Sequence, residues 1–266
     1  MDFSEDQIRR YSRHILLPEV GGVGQERLLA AKVLVVGAGG LGSPLILYLA
    51  AAGVGRIGIV DDDRVELTNL QRQVLHATPA IGQGKTASAA ARVAALNPDV
   101  RVAEYPVRLE ASNALDIIGD YDVVADGSDN FATRFLVNDA CRLAGKTLVS
   151  AAVLRFDGML STFKSPGPCY RCFCRDRPDD DAVPSCAQAG ILGAVAGVLG
   201  TLQATEVLKE ILGIGESMAG WLLIVEALYG SFRKIRLNRD PACPLCGDQP
   251  TIRDLSAHAS SARVCG

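Results

Sequence analysis

Two short apolar runs near the start of the chain frame its most regular segment. Residues 33–36 are all aliphatic, which is the pattern of a strand buried on both faces of a parallel sheet. The glycine-rich turn after this run leads into a predicted helix that reaches Ala52, because Gly53 and Gly55 stop it. Residues 57–60 form the second apolar run. The pattern therefore predicts a strand, a helix and a second, parallel strand.

The same alternation of helical and strand patterns continues along the chain. We predict further helices over residues 5–16, 84–96, 112–118, 132–144 and 188–212, and further strands over residues 100–105, 122–125, 147–153, 158–164, 221–227 and 231–237. These elements predict an α/β fold: a Rossmann-like, mostly parallel sheet with helices on both faces, followed by antiparallel C-terminal strands. We also expect residues 158–164 to form an exposed edge strand, residues 21–24 to be a flexible link, and the chain after Asp248 to be loosely ordered.

Composition limits the classes of function that fit the chain. It has 266 residues, of which 48% are hydrophobic, so it can bury a full core. A formal charge of −3 gives no electrostatic reason to bind nucleic acid. The first 13 residues are polar and charged, and the most apolar helical stretch, residues 189–202, is too short to span a bilayer. We therefore expect a cytoplasmic protein with neither a nucleic-acid nor a membrane partner.

The turn after the first strand contains four glycines, Gly37, Gly39, Gly40 and Gly42. With no Cβ in the way, glycines let backbone N–H groups approach phosphate oxygens, and the N-terminus of the following helix favours negative charge. Asp61 ends the second strand, where a carboxylate would bind ribose hydroxyls. Taken alone, this pattern fits NAD or FAD as well as a mononucleotide.

Two cations downstream of this unit change the interpretation. Arg72 lies in the polar segment Asn69-Leu-Gln-Arg-Gln73, and Lys85 begins the helix predicted over residues 84–96. A lysine at a helix N-terminus is disfavoured by the helix dipole, so Lys85 needs a compensating anion. A triphosphate would supply that anion and would use both cations, whereas a dinucleotide needs neither. The sequence therefore favours ATP.

The strand predicted over residues 122–125 runs into Asp126-Gly-Ser-Asp129-Asn130. Ligands of such sheets bind at the carboxyl ends of the strands, so Asp129 is well placed to hold Mg²⁺ or nucleotide. The alternative is that Asp129 only caps the helix predicted over residues 132–144. The nucleotide site nearby favours the magnesium interpretation.

The eight cysteines include two Cys-x-x-Cys pairs. Cys169 with Cys172 and Cys243 with Cys246 can converge on one ion, which predicts a closed, tetrahedral structural zinc site. Disulfides are disfavoured by the expected compartment, and a thioredoxin-like redox site would need only one pair. Cys174 is a competing donor.

Cys186 lies just before the helix predicted over residues 188–212. The helix dipole would stabilise its thiolate and make it nucleophilic; the alternative is a small buried residue at a helix start. Cys141 is predicted to lie in a helix core, and Cys265 stands in the tail without context.

Together these segments resemble the MoeB/ThiF/HesA family of adenylyltransferases, the bacterial relatives of ubiquitin-activating enzymes. The resemblance covers residues 6–247 and rests on Arg10-Tyr-Ser-Arg13, Gly37-Ala-Gly-Gly-Leu-Gly42, Asp61-Asp-Asp63, Asn69-Leu-Gln-Arg-Gln73, Gly82-Gln-Gly-Lys85, Asp126-Gly-Ser-Asp129-Asn130, Gly167-Pro-Cys-Tyr-Arg-Cys172 and the second cysteine pair. It implies a homodimer that uses Mg-ATP to adenylate the C-terminal glycine of a small ubiquitin-like sulfur carrier ending in Gly-Gly.

The organisation expected is one domain over residues 1–248, followed by a tail at 249–266. Within the domain we expect an N-terminal helix at 5–17, a nucleotide-binding core at 32–153, and a zinc and crossover region with the C-terminal strands at 154–248.

The resemblance also implies roles for the candidate residues. Asp61 would hold the ribose, Arg72 and Lys85 the phosphates, and Asp129 the Mg²⁺. Arg13, which the charge pattern alone places on a solvated face, would instead reach the phosphates of the nucleotide in the neighbouring subunit. The expected nucleotide-binding set is Gly37, Gly39, Gly40, Gly42, Asp61, Asp63, Asn69, Arg72, Gln73, Lys85, Asp129 and Asn130.

The fate of the acyl-adenylate also follows from the resemblance. Some family members use a cysteine matching Cys186 to hold the carrier covalently, whereas others pass the adenylate to an external persulfide, and we expect a separate persulfide donor here. The favoured carrier is the small subunit of molybdopterin synthase, with the carrier of thiamine biosynthesis as the alternative. Outside the family, a nicotinamide-dependent oxidoreductase and a zinc-stabilised binding module are the competing interpretations.

Overall fold

The computed structural model describes residues 3–178 and 189–259. The strands are β1 (Lys32–Val36), β2 (Arg56–Val60), β3 (Arg101–Tyr105), β4 (Val123–Asp126), β5 (Thr147–Leu154), β6 (Asp157–Phe163), β7 (Trp221–Glu226) and β8 (Ser231–Arg236). The helices are α1 (Glu5–Ile15), α2 (Gly21–Ala30), α3 (Gly42–Ala52), α4 (Lys85–Leu96), α5 (Ala114–Gly119), α6 (Phe131–Leu143), α7 (Tyr170–Phe173) and α8 (Gly193–Leu212). The strands form one sheet in the order β3-β2-β1-β4-β5-β6-β7-β8.

The first five strands are parallel, and β1 to β4 end level with one another at the site, whereas β5 continues to Leu154. Val36, the last residue of β1, pairs with Val60 on β2 and with Asp126 on β4. Because the carboxyl ends of parallel strands meet at one edge of a sheet, Gly37 and Asp61 leave their strands side by side. From β5 onward the neighbouring strands are antiparallel. The predicted mostly parallel sheet with antiparallel C-terminal strands is confirmed.

Helices pack on both faces of the sheet, as predicted. On one face the buried side chains include Leu45 of α3, Val93 of α4 and Leu199 of α8. On the other face Ile118 of α5 and Phe135 of α6 lie in a second hydrophobic cluster. Burying an aliphatic or phenyl side chain of this size contributes about 1.5–3 kcal/mol, so the two clusters hold the loops at the sheet edge on a rigid base.

Strand β6 is not an exposed edge, contrary to the sequence prediction. It lies between β5 and β7, and its polar residues Ser161 and Thr162 are buried. Ser161 Oγ donates a hydrogen bond to the carbonyl oxygen of Trp221 at 2.7 Å, and Thr162 Oγ1 donates one to Glu206 at 3.1 Å. The polar alternation therefore reflects buried hydrogen bonds to remote elements, not contact with solvent.

The glycines of residues 21–24 are not a flexible link, because they form the first turn of α2. Gly24 is buried, and a Cβ at this position would lie 3.1 Å from Leu212 Cδ2 at the end of α8. Glycine therefore permits close packing of α2 on α8 here, and its backbone freedom is not used.

Helix α8 begins at Gly193, later than residue 188, where the sequence pattern places its start. Ahead of it the chain is extended, since Ile191 forms a β-bridge with Arg155 and Gly190 accepts a hydrogen bond from the Arg155 amide. That local pairing uses the backbone groups that a longer helix would need. Among the described helices, none is both long enough and apolar enough to cross a membrane.

The segment after Asp248 is ordered as far as the structure describes it, which corrects the expectation of a loose tail. Leu255 is buried in the cluster on the α6 face. His258 Nε2 lies 2.7 Å from an oxygen of Asp139 on α6, whose carboxylate also accepts two hydrogen bonds from Arg171. Residues 249–259 therefore belong to the packed structure.

A chain ended at Asp248 should be less stable than a chain ended at Ala259. The shorter chain loses the burial of Leu255, about 2 kcal/mol, which corresponds to a melting temperature lower by roughly 5 °C in a protein of this size. Thermal denaturation followed by near-ultraviolet circular dichroism checks this expectation. Equal melting temperatures for the two truncated chains would show that the segment adds nothing to stability.

Candidate functional site

The loop between β1 and α3 is a cradle of exposed backbone amides. The N–H groups of Gly39 and Gly40 have no hydrogen-bond partner within residues 3–178 and 189–259. Gly37 adopts a φ of +92°, and a Cβ at Gly42 would collide with the carbonyl oxygen of Gly37. The tight turn therefore needs glycine at both positions, and it leaves donors free for an anion at the N-terminus of a helix.

The acidic segment after β2 holds the buried Lys85. Lys85 Nζ lies 2.7 Å from Asp63 and 4.0 Å from Asp61, and its side chain is 5% exposed. The anion that the helix start requires is thus supplied here by Asp63, whose side chain is 67% exposed. Burial raises the pKa of the Asp61 carboxyl, an effect that Lys85 and the N–H of Ala38 oppose.

The polar segment before α4 lies over the glycine turn. Arg72 donates a hydrogen bond to Asn69 Oδ1 at 2.8 Å, and its Cγ would lie 3.6 Å from a Cβ at Gly40. Gln73 is buried with its Nε2 beside Gly39, and its Oε1 has no hydrogen-bond partner in the part of the chain that the structure describes. A buried acceptor without a donor is rare, so Gln73 fits a ligand that carries a hydroxyl or amino group.

The end of β4 is fixed by a buried carboxylate that the sequence analysis did not single out. Asp126 is fully buried and accepts hydrogen bonds from the amide and hydroxyl of Ser128 and from the hydroxyl of Ser150. Arg134 donates to the carbonyl oxygen of Ser128 at 2.9 Å. Hydrogen bonds from Ser128 to Asp126 and from Arg134 to Ser128 therefore fix the loop over residues 127–130, and Ser150 fixes the Asp126 carboxylate. The signal available in the sequence was the Asp-Gly-Ser turn, in which an aspartate accepts from the amide two residues on.

Asp129 does not cap α6, so that alternative is wrong. The cap is Asn130, whose Oδ1 accepts a hydrogen bond from the amide of Thr133 at 2.8 Å. Asp129 is exposed at the carboxyl edge of the sheet and has no hydrogen-bond or ionic partner among the described residues. Its predicted role as a magnesium ligand fits this placement and stays a prediction.

Among the described site residues, Arg13 lies apart from this cluster. Arg13 is exposed on α1 and makes no ion pair with the rest of the described chain. Cys186, the predicted nucleophile, lies outside the described residues, as does Cys265. Cys141 is buried on α6, as predicted, and burial raises the pKa of its thiol.

The two Cys-x-x-Cys pairs meet in one buried cluster beneath the loop that follows β6. Cys169 Sγ lies 3.6 Å from Cys243 Sγ, and Cys172 Sγ lies 3.3 Å from Cys246 Sγ. All four sulfurs lie within 4.8 Å of one another. Four thiolates at about 2.3 Å from one zinc ion would be separated by about 3.8 Å, so the cluster has the geometry of a tetrahedral site.

Cys174 does not compete for that cluster. Its Sγ donates a hydrogen bond to the carbonyl oxygen of Asp176 at 3.5 Å. Within the cluster, hydrogen bonds from the other thiols, Cys169 first, lower the pKa of Cys246 to about 5. Donating to Cys246, together with burial, raises the pKa of Cys169. Crowded thiols that share one negative charge in this way would all ionise only with a cation among them.

Comparison with known proteins identifies relatives of this chain. The chain matches the ThiF family over residues 11–245. It is 53% identical over 261 residues to a Thermus thermophilus protein named sulfur carrier protein adenylyltransferase, covering 96% of each chain. It is 56% identical over 265 residues to the Bos taurus protein named adenylyltransferase and sulfurtransferase MOCS3, covering 99% of this chain but 58% of that protein.

The fold also matches solved structures of the E. coli protein MccB. A structure of MccB with MccA-N7isoASN has a TM-score of 0.80 at 23% identity, covering 90% of this chain and 75% of that chain. A structure of MccB with ATP has a TM-score of 0.76 at 24% identity, covering 90% and 74%. At this identity the likeness establishes the shared fold alone.

Proposed function

Because the chain belongs to the ThiF family, we propose that it is an adenylyltransferase that activates the C-terminal glycine of a small sulfur-carrier protein with ATP. The observation that carries this proposal is the convergence at one sheet edge of a free-amide glycine loop, a buried lysine and a guanidinium. The relatives named above are adenylyltransferases, which favours this reaction over nicotinamide-dependent oxidation.

The reaction joins a carboxylate oxygen of the carrier to the α-phosphorus of ATP and breaks the bond from that phosphorus to the β,γ-pyrophosphate. Such a displacement needs positioning and charge neutralisation more than a protein nucleophile. The amides of Gly39 and Gly40 would hold phosphate oxygens, and Gln73 would accept a hydrogen bond from the nucleoside. Arg72 and Lys85 would neutralise charge on the pyrophosphate.

Asp63 forms an ion pair with Lys85, and we propose that the phosphates of ATP replace Asp63 in this pair. The lysine is buried and the aspartate is largely exposed, so a polyphosphate entering from solvent would displace the carboxylate and not the ammonium group. Exchange of one anion for another keeps Lys85 neutralised throughout, which avoids the cost of an unpaired buried charge. Asp129 would hold Mg²⁺, which would add further neutralisation of the pyrophosphate when bound.

The proposal also covers the oligomeric state, the zinc ion, the carrier and the sulfur donor. We propose a homodimer in which Arg13 of the neighbouring subunit completes the phosphate site, since its guanidinium is exposed. We also propose a cytoplasmic enzyme with a tetrahedral structural zinc ion on the cysteine cluster. The carrier of molybdenum cofactor biosynthesis is the favoured substrate, and a separate persulfide protein is the sulfur donor. The covalent role of Cys186 stays a prediction.

Exchange of labelled pyrophosphate into ATP tests the proposed function directly. We expect exchange by the wild-type chain only when a carrier ending in Gly-Gly is present. Arg72→Ala should slow it about 100-fold, because a cation that contacts the leaving group contributes roughly 3 kcal/mol to the transition state.

The matched control is Arg101→Ala, which removes an exposed arginine at the start of β3, at the opposite edge of the sheet. It should leave exchange unchanged. Exchange at the wild-type rate in Arg72→Ala would contradict the role of Arg72. Absence of exchange by the wild-type chain with every Gly-Gly carrier tried would overturn the proposed function.

A further inference from the structure

His76 is a buried, hydrogen-bonded histidine that the reaction described above does not use. It lies between the polar segment that ends at Gln73 and the start of α4, and it is 7% exposed. Its Nε2 is 2.9 Å from the carbonyl oxygen of Ala38, in the glycine loop. Its Nδ1 is 2.9 Å from the hydroxyl of Ser88 on α4. The ring therefore links α4 to the glycine loop, whose Ala38 is 38 residues from His76 in sequence.

The contacts fix the tautomer of the ring. A carbonyl oxygen can only accept a hydrogen bond, so Nε2 carries a proton; in the neutral ring Nδ1 then accepts from the Ser88 hydroxyl. Burial lowers the pKa of the imidazole, and the Lys85 ammonium group adds to this effect, whereas Asp61 and the Ala38 carbonyl oppose it. The ring is therefore neutral at physiological pH.

Ala38 is held on both sides by side chains. Its N–H donates to Asp61 Oδ2 at 2.7 Å, and its carbonyl oxygen accepts from His76. The Gly39 N–H belongs to the same planar peptide unit as the Ala38 carbonyl and points the opposite way, and the Gly40 N–H belongs to the next unit. Neither N–H has a partner in the described structure. Two glycines in succession have wide conformational freedom, so the orientation of these amides depends on a fixed residue before them.

We propose that His76 is a positioning residue for nucleotide binding: as the neutral Nε2–H tautomer it holds the Ala38 carbonyl so that the Gly39 and Gly40 amides face the phosphates. This inference rests on the proposed function, because it assumes a nucleotide in the loop. His76 contacts the loop and not the substrate. It contributes by preorganisation, since a loop already in its binding geometry loses less conformational entropy when the ligand binds.

The tautomer can be observed without any activity. The chain has three histidines, His14, His76 and His258. Long-range ¹H–¹⁵N correlation on the labelled full chain should show one ring with the neutral Nε2–H pattern whose pKa lies below that of a free imidazole side chain. That signal should be absent from His76→Gln. A His76 ring whose pKa is not lowered, or whose neutral form carries its proton on Nδ1, would overturn the proposal.

Two substitutions distinguish the contribution of the hydrogen bond from that of the imidazole ring itself. His76→Leu removes the donor and should raise both the KM for ATP and the dissociation constant of a non-hydrolysable ATP analogue about 10-fold, with kcat changed less than about 2-fold. His76→Gln keeps an N–H donor and should restore both constants to within about 3-fold of wild type. His258→Gln, at a histidine bonded to Asp139, is the matched control and should change neither.

The outcomes distinguish the two proposals. A folded His76→Leu chain that binds the analogue as wild type does would overturn the positioning role alone, as would a folded His76→Gln chain as defective as His76→Leu. If His76→Leu folds poorly, Ser88→Ala removes only the hydroxyl behind Nδ1, and we expect a KM about 3-fold higher. A wild-type chain that binds no ATP analogue in calorimetry would overturn the proposed function, and the positioning role with it.

Discussion

Replacement of Lys85 by methionine should lower kcat/KM for carrier-dependent ATP–pyrophosphate exchange by about 1,000-fold, which corresponds to ~4 kcal/mol. The effect should exceed that of Arg72→Ala because the Lys85 side chain is 5% exposed, whereas Arg72 is half-buried and shares its guanidinium with Asn69. Methionine keeps the length and the apolar stem of lysine. The loss is therefore electrostatic: a polyphosphate would meet Asp61 and Asp63 with no cation between.

Exchange of labelled pyrophosphate measures the effect, and the thermal stability of Lys85→Met shows whether the chain still folds. Lys146→Met is the matched control, since the Lys146 ammonium group donates a hydrogen bond to the carbonyl oxygen of Gly119, beyond the amino end of β4. It should leave exchange unchanged. A folded Lys85→Met chain that loses less than about 10-fold in kcat/KM would refute a phosphate-binding role for Lys85.

The sheet and its active edge could be predicted because the signals are local. The aliphatic run that forms β1, the glycines after it and Asp61 after β2 lie within one short stretch of sequence. Parallel strands joined by a helix bring their carboxyl ends together, so the neighbours of Gly37 could be inferred without coordinates. The dipole argument for Lys85 correctly required an anion, but a carboxylate from the same chain, Asp63, meets that requirement in the structure.

The interpretations that failed depend on contacts between residues far apart in sequence. Ser161 and Thr162 gave β6 the pattern of an exposed strand because their partners, Trp221 and Glu206, lie 60 and 44 residues away. A single sequence carries no signal for such a pairing. Hydrophobic periodicity reports burial correctly only where buried side chains are apolar.

The residues that hold the site were missed for the same reason. His76 reaches Ala38 across 38 residues, and Ser150 reaches Asp126 across 24. Neither His76 nor Ser150 is part of a sequence motif that predicts a function. A lone histidine or serine is usually only a hydrogen-bonded polar group. The sequence thus identified the groups that we propose face the ligand, whereas the groups that orient them became visible only in the fold.

Removal of the predicted zinc ion should destabilise the chain more than the loss of its C-terminal segment. Cys243→Ser leaves three ligands for the ion, and Cys169 and Cys243 lie 74 residues apart. The segment around Cys243 adds only Leu245 and the partly buried Ile252 to the cysteine cluster. Metal binding stabilises such segments, so we expect a loss of about 5 kcal/mol and a melting temperature lower by roughly 15 °C. Metal analysis of the native protein should give one zinc per chain, falling below half in Cys243→Ser.

Cys174→Ser is the matched control, because Cys174 is another thiol of the same loop and its Sγ faces Asp176 instead of the cluster. It should retain one zinc per chain and the wild-type melting temperature. Loss of metal in Cys174→Ser would mean that the ligand set differs from Cys169, Cys172, Cys243 and Cys246. Native protein that is stable, fully reduced and free of metal would show that the four thiols pack as a buried cluster without an ion, since their mutual hydrogen bonds would then suffice.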